Sequence, residues 1–216
     1  ETGHISHPGA VVVMGDIEPE SKVTALGDVE VQGLVDQADV KTGGNLIVHG
    51  GINGGGKSKI TVAGRVHARF INEADLEVNK DIVVEREILQ SNVKTRGAVA
   101  MQFGRLVGGE TIALAGVLVG QTGSEALVAT TLTLGEDFQL KKKVDKLYKE
   151  IDQLEERREK IQTNVKPILQ KSPNKLPDKT KAVVEKLLAE SKELDKRIGQ
   201  IRLQIGRLRA HSKKLS

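Results

Sequence analysis

Few residues have a claim to chemistry. His4 and His7 have the spacing of a metal-ligand pair, but no cysteine or acidic cluster accompanies them, and two imidazoles leave a metal's coordination incomplete. His49 and His67 fall at outward strand positions by the alternation described below and read as solvated surface side chains. Gly54-Gly55-Gly56-Lys57-Ser58 ends like a phosphate-binding loop, with Gly51 at the place of the leading glycine. The segment nevertheless lies inside repeat sequence and opens no helix, so corner glycines are the better reading. No serine sits in a nucleophile elbow and no carboxylate pair stands out. The expectation is a protein that is not an enzyme and holds neither metal nor cofactor.

What would position such residues is a repeat. A valine-rich phrase returns five times, as Gly27-Asp28-Val29-Glu30-Val31, Gly44-Asn45-Leu46-Ile47-Val48, Gly64-Arg65-Val66-His67-Ala68, Lys80-Asp81-Ile82-Val83-Val84 and Gly97-Ala98-Val99-Ala100-Met101. Its lead residues are 17, 20, 16 and 17 apart. A second phrase (Asp39-Val40-Lys41-Thr42, Lys59-Ile60-Thr61-Val62, Asp75-Leu76-Glu77-Val78, Asn92-Val93-Lys94-Thr95) keeps step at 20, 16 and 17. Two strand phrases sharing one period imply a coil whose turns lie strand on strand, a β-solenoid. Alternation within each phrase puts one set of side chains inside, and right-handed winding is the default for parallel crossovers. The fold class is therefore mainly β with an α-helical arm: a right-handed parallel β-helix over residues 1–137, then an antiparallel helical hairpin. Seven or eight turns of about 4.8 Å make a stack roughly 35 Å tall.

The arm is read from the change of character after Gly135. Apolar residues fall at Val144, Leu147, Ile151, Leu154, Ile161, Val165 and Ile168, then at Val184, Leu187, Leu194, Ile198, Ile201, Ile205 and Leu208, with Arg158 and Ser191 interrupting the two series. These are coiled-coil seams. Pro167, Pro173 and Pro177 should break the helix between them, so residues 138–216 form a hairpin with its turn near 166–178. Folding back about residues 171–172 pairs positions whose numbers add to roughly 344–350, which brings Arg158 near Ser191 in one polar layer that fixes register. Glu190 or Glu193 is the expected counter-charge.

Composition bounds the rest. Residues 1–140 carry 11 Lys+Arg against 18 Asp+Glu, and the remainder 22 against 11, an acidic body joined to a basic arm. The arm's charge could attract nucleic acid or an anionic membrane, with Lys141-Lys142-Lys143 or Lys166, Lys171, Lys175 and Lys179 as points of contact. Its cations are mixed with acids around a coiled-coil exterior, so a solvated face is the preferred reading. Three Phe, one Tyr and no Trp argue against aromatic platforms for sugars or single-stranded nucleic acid. The absence of cysteine permits a cytosolic setting and excludes disulfides. The longest apolar run, residues 112–119, is far below the about 20 residues a spanning helix needs. The chain opens at Glu1 within repeat-like sequence, which suggests a piece of a longer protein lacking an N-terminal domain.

Taken together, Gly15-Asp16-Ile17, Gly27-Asp28-Val29-Glu30-Val31-Gln32-Gly33, Gly43-Gly44-Asn45-Leu46-Ile47-Val48, Gly50-Gly51-Ile52, Gly108-Gly109-Glu110, Thr131-Leu132-Thr133-Leu134-Gly135 and the coiled coil after them resemble the bacterial flagellar assembly protein A family. The resemblance implies a cytoplasmic, non-enzymatic protein acting in flagellum assembly or its placement at the cell pole, and so in motility. It also implies a partner in the glucose-specific enzyme IIA of the sugar phosphotransferase system, with no motif assigning that contact to residues. The reading is a scaffold whose partner-facing site is the hairpin tip: Ile168, Leu169, Lys171, Lys175 and Leu176. These residues equally suit a tip that packs on itself. The alternative from another class is a bactofilin-like cytoskeletal protein that polymerises by stacking β-helices end to end.

Overall fold

The structure, a computed structural model, describes residues 3–125, 128–171 and 177–212; of residues 170, 171, 178, 179, 211 and 212 only the backbone is described. The chain divides into two compact units, residues 1–138 and 139–215.

The first unit winds through β1 (His4–His7), β2 (Val11–Val13), β3 (Lys22–Ala25), β4 (Val29–Val31), β5 (Leu34–Asp36), β6 (Asp39–Thr42), β7 (Leu46–Val48), β8 (Gly51–Asn53), β9 (Lys59–Val62), β10 (Val66–Asn72), β11 (Asp75–Val78), β12 (Ile82–Thr95), β13 (Ala98–Ala113), β14 (Gly116–Thr122) and β15 (Thr130–Leu134). Their pairings are parallel, and they coil as a parallel β-solenoid of about 7 turns. The first wall is β2, β4, β7 and the opening segments of β10, β12, β13 and β14. The second is β1, β3, β6, β9, β11, the closing segments of β12 and β13, and β15.

The sequence phrases account for these two walls, but each turn has a third. It is built by β5, β8, the closing segments of β10 and β14, and the middle of β12 and β13. It shows no alternation because one main residue per turn faces inward there, in the column Ile17, Val35, Ile52, Ile71, Ile88 and Leu106.

The first wall's inner column runs Val11, Val29, Leu46, Val66, Ile82, Val99 and Val117, each in register with the next. Its middle five members are 0% exposed. Each such aliphatic side chain contributes about 1.5–3 kcal/mol by burial, and stacking like on like fills the narrow interior without aromatics.

Two corner devices hold one turn on the next. At the entrance to the first wall, the Asp28 carboxylate accepts the Asn45 N–H at 2.6 Å, the Asn45 side-chain oxygen accepts the Arg65 N–H at 2.9 Å, and Asp81 accepts the Ala98 N–H at 3.1 Å. The residue before each acceptor's partner must leave room for that short side chain. A Cβ on Gly97 would lie 2.5 Å from the Asp81 nitrogen, so glycine precedes the phrase there. At the exit of the second wall, buried Thr42 donates to the Gly27 carbonyl and accepts the Gly44 N–H; Thr95 makes the same bonds with Lys80 and Gly97. The identical Val-Lys-Thr-x-Gly phrases thus close identical corners.

The second unit contains α1 (Phe138–Lys171) and α2 (Asp178–Ser212). Pro167 does not break α1, which continues through it to Lys171, contrary to the expectation that the helix stops there. Thr163, whose carbonyl proline leaves without its i+4 donor, and Pro167 itself are both exposed, so water satisfies that carbonyl. Among the described residues no helix is long and apolar enough to cross a membrane.

Candidate interaction surfaces

The outward side chains of the three walls differ in chemistry. On the second wall the register stacks Lys22, Asp39, Lys59 and Asp75 in one column, and Lys41, Thr61, Glu77 and Lys94 in another. Opposite charges alternate at about 4.8 Å along the axis, and the column is largely self-neutralised. On the third wall the Asn53 amide donates to Asp36 at 2.8 Å, and Arg105 pairs with Glu87 at 2.7 Å.

The first wall is unlike these. Its outward column is Val12, Glu30, Ile47, His67, Val83, Ala100 and Leu118, five of seven apolar. Val12 and Leu118 are each 58% exposed, and the bordering corner residues Leu26, Met14 and Phe103 are 72%, 79% and 90% exposed. Among the described residues, the solenoid's other exposed large apolar side chains, Ile5, Leu132 and Leu134, stand in its end turns at inward register positions, paired with Val23, Thr111 and Ala113. The wall's charges are met locally: Glu30 with Gln32 and His49, Arg65 with Asp81 at 3.2 Å, His67 with Glu85 at 3.8 Å. A shallow depression at its centre has Ile47, Val83, Arg65, His67 and Lys80 around it. An exposed apolar patch in which Glu30, Arg65 and His67 each have a partner on the same sheet is suited to docking protein. The signal for it lay in the fourth residue of each five-residue phrase, which alternation sends outward.

In the hairpin, ion pairs on its flanks define the register. Glu150 with Arg197 and Arg157 with Glu190 add to 347, while Glu155 with Arg202 and the stacked pair Tyr148 and Arg209 add to 357. Residues whose numbers add to 352 therefore face each other across the seam, in an antiparallel arrangement. Arg158 then faces Leu194 and Ser191 faces Ile161, in neighbouring layers about 4.5 Å apart where one shared layer was expected. The counter-charge of Arg158 is Asp195 at 2.8 Å; Glu190 is engaged by Arg157 and Glu193 by Lys196. The hydrogen bond that Arg158 donates to the Asp195 carboxylate raises the Arg158 pKa above its ordinary value. Arg158 divides the apolar seam into two clusters, one from Val144 to Leu154 with its partners and one from Ile161 to Ile168 with its partners. Its Nε is buried without a hydrogen-bond partner among the described residues.

The remaining sequence candidates are placed as follows. Ile168 packs into the second cluster and Leu169 is 41% exposed; the Lys171 side chain, Lys175 and Leu176 lie outside the described residues. His4 and His7 are exposed on β1, where the His7 Nδ1 accepts the Gly9 N–H at 3.0 Å. Residues 54–58 form the corner between β8 and β9, with Gly55 and Gly56 at φ of 55° and 70°. That corner has three residues more than its counterpart between β11 and the end of β10, which explains the 20-residue spacing there.

A family model described as the flagellar assembly protein A beta solenoid domain matches residues 1–215. No curated protein and no solved structure matches the chain.

Proposed function

The chain belongs to the flagellar assembly protein A family, and from that premise we propose that it is a non-enzymatic protein-interaction scaffold in flagellum assembly. The observation that carries this reading is the first wall, an exposed row of apolar side chains on a rigid sheet where Glu30, Arg65 and His67 are met by neighbours. A sheet face held in register by ladders above and below meets a partner without paying much ordering entropy. The hairpin gives a second, separate surface, with Leu169 exposed near its tip and cations along its length. The protein works in the cytoplasm, at the pole where a flagellum is placed. Enzyme IIA of the phosphotransferase system is a partner that the family resemblance suggests, and no residue of this chain is assigned to it.

Charge weighs against the end-to-end polymer. Residues 1–21 hold four acids and no Lys or Arg, and the solenoid has no Lys or Arg after Arg105, so stacking end on end brings acidic turns together. The test is a strain carrying Val83→Glu with Leu118→Glu. At unchanged protein level its cells should bear fewer or misplaced flagella; wild-type flagellation would contradict the reading.

A further inference from the structure

The occupant of the first wall can be argued from the order of its side chains. Read from one end of the solenoid, the outward column is Val12, Glu30, Ile47, His67, Val83, Ala100 and Leu118; read from the other, its apolar and polar positions nearly superpose. We propose that the first wall docks a second copy of this chain face to face, about a two-fold axis through His67 that makes the two solenoid axes antiparallel. The proposal rests on the scaffold reading of the same wall and names its partner.

In this arrangement Val12 meets Leu118, Ile47 meets Val83, and Glu30 meets Ala100. The one mismatch is harmless because the Glu30 carboxylate already accepts from Gln32 at 2.9 Å and lies 2.8 Å from the His49 Nε2, while alanine leaves it room. A parallel arrangement would instead press Glu30 on Glu30, which repels. The wall's apolar positions ask for an apolar face, which the same positions of another copy offer. Seven turns at about 4.8 Å and a width of about 18 Å with the bordering corners give on the order of 600 Å² per copy. The total of about 1,200 Å² is at the lower bound for specific interfaces, so the dimer is weak and concentration-dependent. A C₂ interface of this kind is isologous and closes, so it forms pairs and not filaments.

The test uses the full chain. Sedimentation equilibrium should show monomers passing to dimers as concentration rises, and a monomer throughout overturns the proposal. Val83→Glu should abolish the dimer with an unchanged circular dichroism spectrum. Adding Ile47→Lys to it should restore the dimer, because only antiparallel docking sets residue 47 against residue 83 of the other copy. A dimer unaffected by Val83→Glu, or unrestored by the pair, refutes the geometry. The chain has no cysteine, so single spin labels give a second readout: two facing walls about 10 Å apart put labels at His67→Cys close together and labels at Val12→Cys about 30 Å apart. Short distances at both positions mean parallel docking and overturn the proposal. The flagellation of the Val83→Glu strain separates the two readings. A monomeric chain whose variant loses flagella leaves the scaffold reading standing with another occupant; a monomeric chain with a fully flagellated variant removes both.

Discussion

Truncating one member of an inner column should be felt by its neighbours on the adjacent turns and by almost nothing else. Leu46 is 0% exposed and sits between Val29 and Val66. Leu46→Ala removes its branched methyl end from a dry interior, and the walls, pinned by ladders on both sides, have little freedom to collapse into the gap. The expected cost is about 3–5 kcal/mol, which at a urea slope of about 2 kcal/mol per M moves the unfolding midpoint by about 1.5–2.5 M. The sharper quantity is coupling. Val66 lies one turn from Leu46 and Val99 three turns away, or about 14 Å at the strand spacing. The double variant with Val66→Ala should be less damaging than the sum of its singles by at least about 0.5 kcal/mol, whereas with Val99→Ala the effects should add within about 0.5 kcal/mol. Urea titration followed through the amide resonances of the solenoid strands reads this unit apart from the helices. Equal coupling to Val66 and Val99 would refute the column.

Three further predictions concern the corners and the seam. Thr95→Val leaves the Lys80 carbonyl and the Gly97 N–H without their bond to the threonine hydroxyl, and should cost about 1–3 kcal/mol by the same urea titration. Glu73 holds a left-handed backbone at φ 47°, so Glu73→Gly should raise stability by up to about 1 kcal/mol, the strain relieved less glycine's added entropy. In the hairpin, Arg158→Leu should join the two apolar clusters and raise the helical melting temperature, read by circular dichroism at the helix band. A lower melting temperature would mean that the Asp195 pair outweighs the seam.

What was legible in the sequence follows from what repeats in it. The first and second walls alternate apolar and polar residues over three or four positions, so Val29, Leu46, Val66 and Ile82 could be aligned by eye, and they do share a column. The third wall turns one main side chain inward per turn, and a lone Ile52 or Ile71 beside Gly51 or Phe70 carries no period. The corner glycines and threonines have partners one turn away, 15 to 17 residues off, which composition cannot pair. In the hairpin the seam was plain, but its register depended on flanking ion pairs whose partners are set by three-dimensional reach. Asp195, at a flank, took Arg158 because Arg157 had already taken Glu190. Pro167 is carried inside α1 because the carbonyl it orphans belongs to exposed Thr163, where solvent is within reach, and a residue pattern alone does not show that.

The fold and its docking surface both require turns that lie in register, with valines and isoleucines stacked inside and the first wall's apolar row outside. Methyl-labelled full-length protein tests this directly through nuclear Overhauser contacts among Val29, Leu46, Val66, Ile82 and Val99. The predicted pattern is a chain of strong cross-peaks, each methyl seeing the next at about one strand spacing and the one beyond only weakly. Strong contacts that skip a turn, or none between Leu46 and Val66, would contradict it.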